Sequence, residues 1–248
     1  MAGDFIVKVL IAFLLITLTP EKIFPCRPLK TEDCGTTPLG KPAVELGLQL
    51  EDTVSGRETE FGYVFNVGLS ARMDAGFELP FRHTKPDGSN SDKGFDGVTL
   101  RLKYLLSSEK DSMPALLTKF TLTMPTGSNN SEIGNDKSTV GAYLVATKSL
   151  VDYNIFSAFG YITPADGKDR DNSNGFLGLG LQRFFGKIDL LGEFTYESNF
   201  NSGGDVFGVT LGMVYSLSEM IAWDIALSKN LKDADSNYML ITGLTTNF

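Results

Sequence analysis

Charged side chains recur at the centres of short segments in which apolar and polar residues alternate. Residues two apart in an extended strand lie on one face, so each segment has an apolar face and a face that carries the charges. If the apolar face touched lipid, a Lys or Arg placed on it at the bilayer midplane would cost roughly 2–4 kcal/mol. We therefore expect the charged face to line a polar lumen, where acids and bases either admit small solutes or close into ion pairs. The predicted lumen-lining residues are Glu45, Asp74, Glu78, Arg101, Lys103, Lys119, Asp189, Glu193 and Asp224.

The residue types give little support to catalysis. Nucleophilic hydrolysis needs a side chain activated by a base. The only histidine, His83, has no serine beside it, and no G-x-S-x-G motif occurs. Glu45 and Glu193 are a carboxylate pair of the kind used in acid–base chemistry, but two acids in one lumen are more often ion-pair partners. We predict no catalytic residue and no cofactor.

The two cysteines precede the first predicted strand, in an exported and oxidising setting. A disulfide between Cys26 and Cys34 would close a short loop, provided that signal cleavage spares Cys26. Acylation of Cys26 is an alternative, because residues 23–26 faintly resemble a lipoprotein box. No further ligands stand near the cysteines, and the acidic stretch 166–172 lacks the spaced ligands of an EF-hand, so we predict no metal site.

The N-terminus has the proportions of a secretory signal. Lys8 precedes the apolar run 9–18, which is too short to span a bilayer comfortably; a buried helix is the alternative. We assign residues 1–25 to the signal peptide and cleavage region. Residues 26–41 form a periplasmic entrance segment, at or in the mouth of a transmembrane β-barrel that occupies residues 42–248.

From residue 42 onward the chain divides into alternating segments of strand length. A tilted transmembrane strand needs roughly nine to eleven residues, and single-chain bacterial barrels have an even strand count with long loops at one end only. The pattern predicts an all-β, antiparallel, up-and-down barrel of about twelve strands, of which 152–162 is ambiguous because both its faces are apolar. The predicted strands are 42–51, 61–69, 73–81, 96–105, 115–124, 138–150, 152–162, 174–185, 187–196, 206–215, 220–229 and 237–248. The predicted long loops are 52–60, 82–95, 125–137, 163–173, 197–205 and 230–236.

The chain ends on an aromatic residue after an alternating strand. Tyr238, Leu240 and Leu244 share a face with Phe248, and a terminal Phe is the feature that the bacterial barrel-assembly machinery reads. We interpret Phe248 as an assembly signal and predict an outer-membrane location, with lipid, lipopolysaccharide and the assembly machinery as partners. A net charge of −8 argues against a nucleic-acid partner. A soluble sandwich or lipocalin-like barrel has the same period with its apolar face inward, and is the alternative fold.

Several motifs resemble one family of barrels. The motifs are Arg27 to Thr36, Gly40-Lys41, Val44 to Gly47, Phe77 to Phe81, Gly97 to Tyr104 and Leu122 to Gly127. They are similar to outer-membrane transporter-like proteins linked to the meta-pathway of phenol degradation, and the similarity extends over nearly the whole chain after the signal. Cys34 departs from it, since a small residue such as Ala is expected there. The resemblance implies passage of small solutes, including hydrophobic or aromatic ones, and carries no set of functional residues.

The predicted function is a channel or transporter for small-molecule solutes. Twelve strands lie between barrels that side chains fill and wide porins, so we expect a narrow or partly plugged lumen. One alternative is a sealed structural or adhesive barrel that acts through extracellular loops such as 125–137 and 164–173. An outer-membrane enzyme is the weaker alternative.

Overall fold

The computed structural model describes residues 27–53, 55–125, 133, 137–166, 173–199, 204–231 and 236–248. The predicted signal peptide, residues 1–25, therefore lies outside the described residues. Within the described part, no helix has the length and apolar character needed to cross a membrane. The strands are β1 Pro42–Thr53, β2 Gly56–Ser70, β3 Met73–Pro86, β4 Asp92–Phe95, β5 Val98–Ser107, β6 Ala115–Met124, β7 Thr139–Ser149, β8 Tyr153–Pro164, β9 Asn174–Phe185, β10 Ile188–Asn199, β11 Val206–Ser216, β12 Ile221–Asn230 and β13 Ser236–Asn247.

Twelve of these strands form a closed antiparallel barrel. Each pairs with the barrel strand before and after it in sequence, and β13 returns to pair with β1 from Ala43↔Asn247 to Thr53↔Ser236. Strand β4 is an addition of four residues that pairs only with the outer end of β3, so β3 meets β5 below it. The predicted twelve-stranded up-and-down barrel is confirmed. Closure matters physically because a sheet in lipid has no water to satisfy an open edge.

The apolar faces of the strands point outward. Phe159, Phe194 and Leu211 are each more than 60% exposed, at 63%, 64% and 65%, although they sit at the centres of their strands. A soluble protein would bury such side chains, whereas a bilayer solvates them. The soluble alternative with the apolar face inward is therefore wrong.

The ambiguous strand β8 follows the same rule. It turns Ile155 and Phe159 outward and buries Phe156 and Ala158 inside. Its inner face is apolar because it packs against other apolar side chains in the lumen, including Leu117 and Val145. Alternation alone could not distinguish its two faces, since both carry apolar residues.

The predicted loop 52–60 is wrong. Strand β1 continues to Thr53 and β2 begins at Gly56, whose φ of +148° is in the region that favours glycine. The polar residues of this stretch pair across the hairpin, as in the ion pair of 2.9 Å between Arg57 Nε and Asp52 Oδ1. Polar composition predicted a loop, but beyond the bilayer a strand can be polar on both faces.

The predicted loop 82–95 is wrong for the same reason. Strand β3 continues to Pro86, and β4 pairs with it between Phe81 and Thr84. His83 therefore lies on a strand and not in a loop, opposite Thr59 on one side and Lys93 on the other. The loop residues 126–132, 134–136, 167–172, 200–203 and 232–235 lie outside the described part.

Candidate functional site

The chain before the first strand lies inside the barrel. We call residues 27–41 the lumen segment. Its backbone joins the barrel wall near its end, where Gly40 N donates to Gly68 O at 2.9 Å. Upstream it crosses the lumen and reaches the centres of the strands, so that Arg27 approaches Gly47 and Gly243. The segment thus extends further into the barrel than the periplasmic mouth, where the sequence predicted it.

Arg27 anchors the inner end of the lumen segment. Its Nε lies 3.4 Å from Asp224 Oδ2, and its Nη2 donates to Thr242 O at 3.0 Å. Gly47 and Gly243 are direct cross-strand partners, and a Cβ on Gly47 would come within 2.0 Å of the Arg27 guanidinium. Two glycines on neighbouring strands therefore provide the space that the guanidinium fills.

Glu193 holds the segment at its next two residues. The carboxylate is buried and accepts hydrogen bonds from the backbone N–H groups of Lys30, at 3.1 Å, and of Thr31. The Lys30 ammonium continues to Glu197 on the same strand, 2.7 Å away. A buried carboxylate with two backbone donors is well compensated for its loss of water.

Glu32 is the centre of a charged cluster. Its carboxylate lies 2.5 Å from Arg101 Nη2, 2.8 Å from Lys103 Nζ and 2.6 Å from Lys119 Nζ. Burial raises the pKa of Glu32, but the surrounding charges of Lys103, Lys119 and Arg101 outweigh that effect and hold the pKa well below its ordinary value. Glu32 is therefore ionised, and we call these four residues the Glu32 cluster.

The part of the lumen segment that precedes β1 contacts the barrel wall through Cys34 and Thr37. Cys34 N donates to Thr147 Oγ1 at 2.9 Å, and its Sγ lies 3.4 Å from the carbonyl oxygens of Ala115 and Val145. Thr37 N donates to Asp74 Oδ2 at 2.7 Å. These contacts hold the segment against the strands near their periplasmic ends.

Cys34 is buried and forms no disulfide with any of the described residues. Burial raises its pKa to about 11, so it is protonated at neutral pH. Its predicted disulfide partner, Cys26, lies outside the described residues. The Cys26–Cys34 bond stays a prediction.

The structure gives the nine predicted charges different surroundings. The Glu32 cluster contains Arg101, Lys103 and Lys119, while Asp74, Glu193 and Asp224 each contact the lumen segment separately. Asp189 accepts a hydrogen bond from Gln182 Nε2 at 2.9 Å, between the neighbouring strands β9 and β10. Glu45 and Glu78 lie on the half-exposed inner face of β1 and β3.

Sequence reasoning missed the residues of the segment that meet these charges. They are Arg27, Lys30, Glu32 and Thr37. A signal was present, because the segment carries both basic and acidic residues before an inward face that also carries both signs. That signal does not say which charge meets which.

The two halves of the lumen differ in solvent access. Near the periplasmic ends, inward-facing side chains are buried around the whole circumference, as are Asn66, Leu117, Gln182, Val214 and Thr245. Toward the extracellular ends, the inward faces of β1–β3 and β5–β7 are half-exposed. Gly62 shows the space directly, since a Cβ there would meet no atom within 4 Å. Among the described residues, the lumen is therefore wider toward the extracellular ends, which we call the vestibule, and is occupied near the periplasmic ends by the lumen segment.

Part of this vestibule is a defined cavity of about 230 Å³. It lies above the Glu32 cluster, between β3 and β8. Its lining combines charged groups with hydroxyls, one aromatic ring and one aliphatic side chain. The lining residues are Glu32, Glu78, Thr99, Arg101, Lys119, Thr121, Thr123, Thr139, Tyr143 and Ile162.

A closed barrel with an apolar exterior, a charged interior and twelve strands is an outer-membrane β-barrel, and the protein is located in the bacterial outer membrane. The sequence model of the family described as "Putative MetA-pathway of phenol degradation" matches residues 38–248. The chain belongs to that family. No curated protein matches the sequence significantly.

Solved structures share the fold at low sequence identity. An outer-membrane channel from Pseudomonas putida F1 aligns with a TM-score of 0.70 at 15% identity, covering 89% of this chain and 100% of the channel. The NanC porin aligns with a TM-score of 0.60 at 12% identity, covering 82% and 100%. Outer-membrane phospholipase A of Escherichia coli aligns with a TM-score of 0.51 at 12% identity, covering 90% and 94%.

Proposed function

We propose that the protein is an outer-membrane channel for small solutes whose passage is controlled by the lumen segment. The observation that carries this proposal is the polar attachment of the segment. It is held at Asp224, Glu193, the Glu32 cluster and Asp74 by ion pairs and hydrogen bonds, and by no described covalent bond before residue 41. Within the described residues, the half-exposed inner faces of the vestibule lie on its extracellular side.

The sealed structural barrel is the competing proposal. It requires a lumen filled by a closed network of ion pairs, and the Glu32 cluster is such a network at one level of the lumen. Here the wall leaves space, since Gly62 faces an empty region and a cavity of about 230 Å³ adjoins Glu78. The closing element is a chain segment joined to the wall covalently at one described end only, where residue 41 meets β1.

Conductance in planar bilayers tests the channel proposal. Purified wild-type protein is expected to give small, ion-carrying steps. Glu32→Gln removes the carboxylate that binds three cations, and breaking a buried ion pair costs on the order of 3 kcal/mol. Because 1.4 kcal/mol is about tenfold in an equilibrium, this change should move the segment mostly off its site and raise the conductance severalfold.

A control for this experiment is Glu109→Gln. Glu109 binds Lys148 Nζ at 2.7 Å in the turn between β5 and β6, away from the lumen segment. It should leave the conductance unchanged. Absence of current above background from correctly folded wild type and from Glu32→Gln alike would favour the sealed barrel.

The enzyme and adhesion alternatives have less support. The match to a phospholipase extends to the fold alone, and hydrolysis of that kind needs a serine beside a histidine. The cross-strand partners of His83 are Thr59 and Lys93. The loops proposed for adhesion, 125–137 and 164–173, fall mostly outside the described residues. We infer that the outer surface contacts membrane lipid and lipopolysaccharide, and that the barrel-assembly machinery inserts it.

A further inference from the structure

A row of glycines crosses the inner face of the barrel wall next to Arg27. Gly62 on β2 pairs with Gly47 on β1, and Gly47 pairs with Gly243 on β13. The next residue in the row is Asp224 on β12, directly opposite Gly243. Because three neighbouring positions have no side chain, the wall has a trough here that ends on a carboxylate. We call this row of three glycines, together with Asp224, the glycine trough.

The Arg27 guanidinium fills the inner part of the glycine trough. A Cβ on Gly47 would lie 2.0 Å from its Nη1, and a Cβ on Gly243 would lie 2.6 Å from its Nε. Its Nε donates to Asp224 Oδ2 at 3.4 Å, and its Nη2 donates to Thr242 O at 3.0 Å. A guanidinium presents its donors in a flat, fixed fork, whereas an ammonium is a compact point charge. The trough is therefore shaped for a flat, forked cation.

The glycine trough offers more acceptors than Arg27 uses. Asp224 is 1% exposed, and its Oδ1 is buried with no hydrogen-bond partner in the described part of the chain. Thr245 is the next inward residue of β13, and its buried Oγ1 is likewise without a partner among the described residues. Glu45 lies directly opposite Thr245 and brings a second carboxylate. Buried polar atoms in native proteins are nearly always hydrogen-bonded, so these atoms indicate a site that accepts a further donor.

The glycine trough adjoins the vestibule at its Gly62 end. A Cβ on Gly62 would meet no described atom within 4 Å, and the Arg27 side chain retains 15% of its exposure. A small cation in the vestibule therefore meets the trough at its open end, beside the guanidinium that fills it.

We propose that the glycine trough is a binding site for solutes that carry a guanidinium or amidinium group, and that such a solute releases the lumen segment by taking the place of Arg27. The binding step needs only the trough. The release step deepens the proposed channel function and rests on it. Arg27 is a tethered competitor with an effective concentration on the order of millimolar, so wild-type protein responds only to an abundant solute or a tightly bound one.

Calorimetric titration of the full-length protein in detergent with methylguanidinium tests the binding step. Arg27→Ala empties the trough and should bind methylguanidinium at least about tenfold more tightly than wild type, because the tethered competitor is gone. Methylammonium has the same charge without the fork, so it cannot reach both Asp224 and Thr242 O. It should bind this variant at least about tenfold more weakly, the factor for one lost charge-assisted hydrogen bond.

Arg27→Lys is the second variant, for the case in which truncation to alanine impairs folding. The lysine keeps a positive charge beside Asp224 but lacks the fork, so it competes less well for the trough. This variant should bind methylguanidinium at least about fivefold more tightly than wild type, which corresponds to one hydrogen bond lost by the competitor.

Two further substitutions in the Arg27→Ala protein should weaken methylguanidinium binding at least about tenfold each, by different means. Asp224→Asn removes the carboxylate. Gly47→Ala adds a Cβ at a point where the three nearest atoms all belong to the Arg27 guanidinium, so it occupies the place of the ligand. The matched control is Asp189→Asn in the same protein. Asp189 is another inward carboxylate, bonded to Gln182 outside the trough, and its substitution should leave binding unchanged.

Bilayer recordings test the release step. Methylguanidinium chloride should raise the conductance of wild type severalfold above the value in the same concentration of methylammonium chloride. Arg27→Ala should show the raised conductance in both salts, because its segment has no guanidinium left to displace.

The site, the release step and the channel fail in different ways. Equal binding of the two cations by the Arg27 variants, no binding of either, or unchanged binding after Asp224→Asn would overturn the site whatever current the wild type carries. Binding with the expected pattern, together with a conductance that is the same in both salts, would overturn the release step. Binding with that pattern in a protein that carries no current would overturn the channel and leave the site.

Discussion

At the scale of single residues, one carboxylate of the lumen segment carries most of the attachment. Glu32 is bound by Arg101, Lys103 and Lys119, and those cations hold its pKa well below the ordinary value of 4.5 although burial opposes them. A carboxyl whose pKa is lowered by folding stabilises the folded arrangement fully above its unfolded pKa. That stabilisation is lost as the pH falls through the lower, folded value.

The attachment should therefore resist mild acid. We expect single-channel conductance to stay constant from about pH 8 to about pH 5 and to rise only below 4.5, where Glu32 takes up a proton and releases its cations. Bilayer recordings across this range provide the measurement. Glu32→Gln should show the raised conductance at every pH with no acid step. A rise already complete at pH 6 would mean that another group controls the segment.

The rate at which Cys34 reacts with a thiol reagent shows whether the lumen segment is docked in the barrel. Cys34 is 7% exposed and burial raises the pKa of its thiol to about 11, so a maleimide at neutral pH should leave it unmodified in folded protein. Leu39→Cys places a thiol at a site that is 67% exposed in the same segment and should react fully. Peptide mapping by mass spectrometry distinguishes Cys34 from Cys26. Rapid labelling of Cys34 in native wild type would show that the segment is not held as described.

The alternation of side chains along each strand predicts which charged residues face the lumen, whereas packing determines which groups they contact. Period two predicts that Arg101 and Lys103 point the same way, because this follows from the backbone alone. It does not predict Glu32 as their partner, since that contact joins residues about seventy positions apart. The link depends on where residues 27–41 cross the lumen, which no local pattern encodes. The reason for glycine at Gly47 and Gly243 is visible only in the structure, where the Arg27 guanidinium occupies the space that a side chain would need.

At the scale of elements, substitutions in strand β2 test how closely the lumen segment packs against the barrel wall. A Cβ at Gly68 would come within 2.0 Å of Pro38 O and 2.3 Å of Thr37 O, which are backbone atoms that cannot turn aside. Gly68→Ala should displace the segment and destabilise its docking by roughly 1–3 kcal/mol, as overpacking does. The displacement is read as faster maleimide labelling of Cys34 and raised conductance.

The same strand supplies the control. Gly62 also faces inward, and its added Cβ would meet no atom within 4 Å. Gly62→Ala should keep wild-type labelling and conductance, with only the small gain in strand propensity that Ala has over Gly. Equal effects of the two substitutions would mean that Pro38 and Thr37 do not pack on β2.

The sequence predicted that each barrel strand exists. It predicted the ends of a strand only where the strand stops together with its apolar alternation. Strands β6 and β9 have the predicted bounds, 115–124 and 174–185, because apolar alternation and turn residues bracket them. Strands β1, β2 and β3 extend beyond the apolar alternation into polar sequence. Outside the hydrocarbon region the ladder of backbone hydrogen bonds needs no apolar face, so composition no longer marks its end.

At the scale of the whole molecule, closure of the barrel brings the first and last strands together. Strand β13 pairs with β1 over nearly its full length, and Phe248 N donates to Pro42 O at 3.0 Å at the base of the seam. Strand β1 begins at Pro42, directly after the lumen segment. The seam therefore lies next to the point where the lumen segment leaves the wall.

The terminal aromatic should matter for assembly and not for the finished barrel. Because the seam is a backbone ladder, Phe248→Ala keeps every described pair between β1 and β13, yet it removes the ring that we interpret as the assembly signal. We expect severalfold less protein in the outer-membrane fraction. The fraction that does insert should show the heat-dependent gel shift and the conductance of wild type. Asn247→Ala, one position earlier on the other face, should insert normally. Normal insertion of Phe248→Ala would mean that the machinery recognises the closing strand through its remaining outward residues, Tyr238, Leu240 and Leu244.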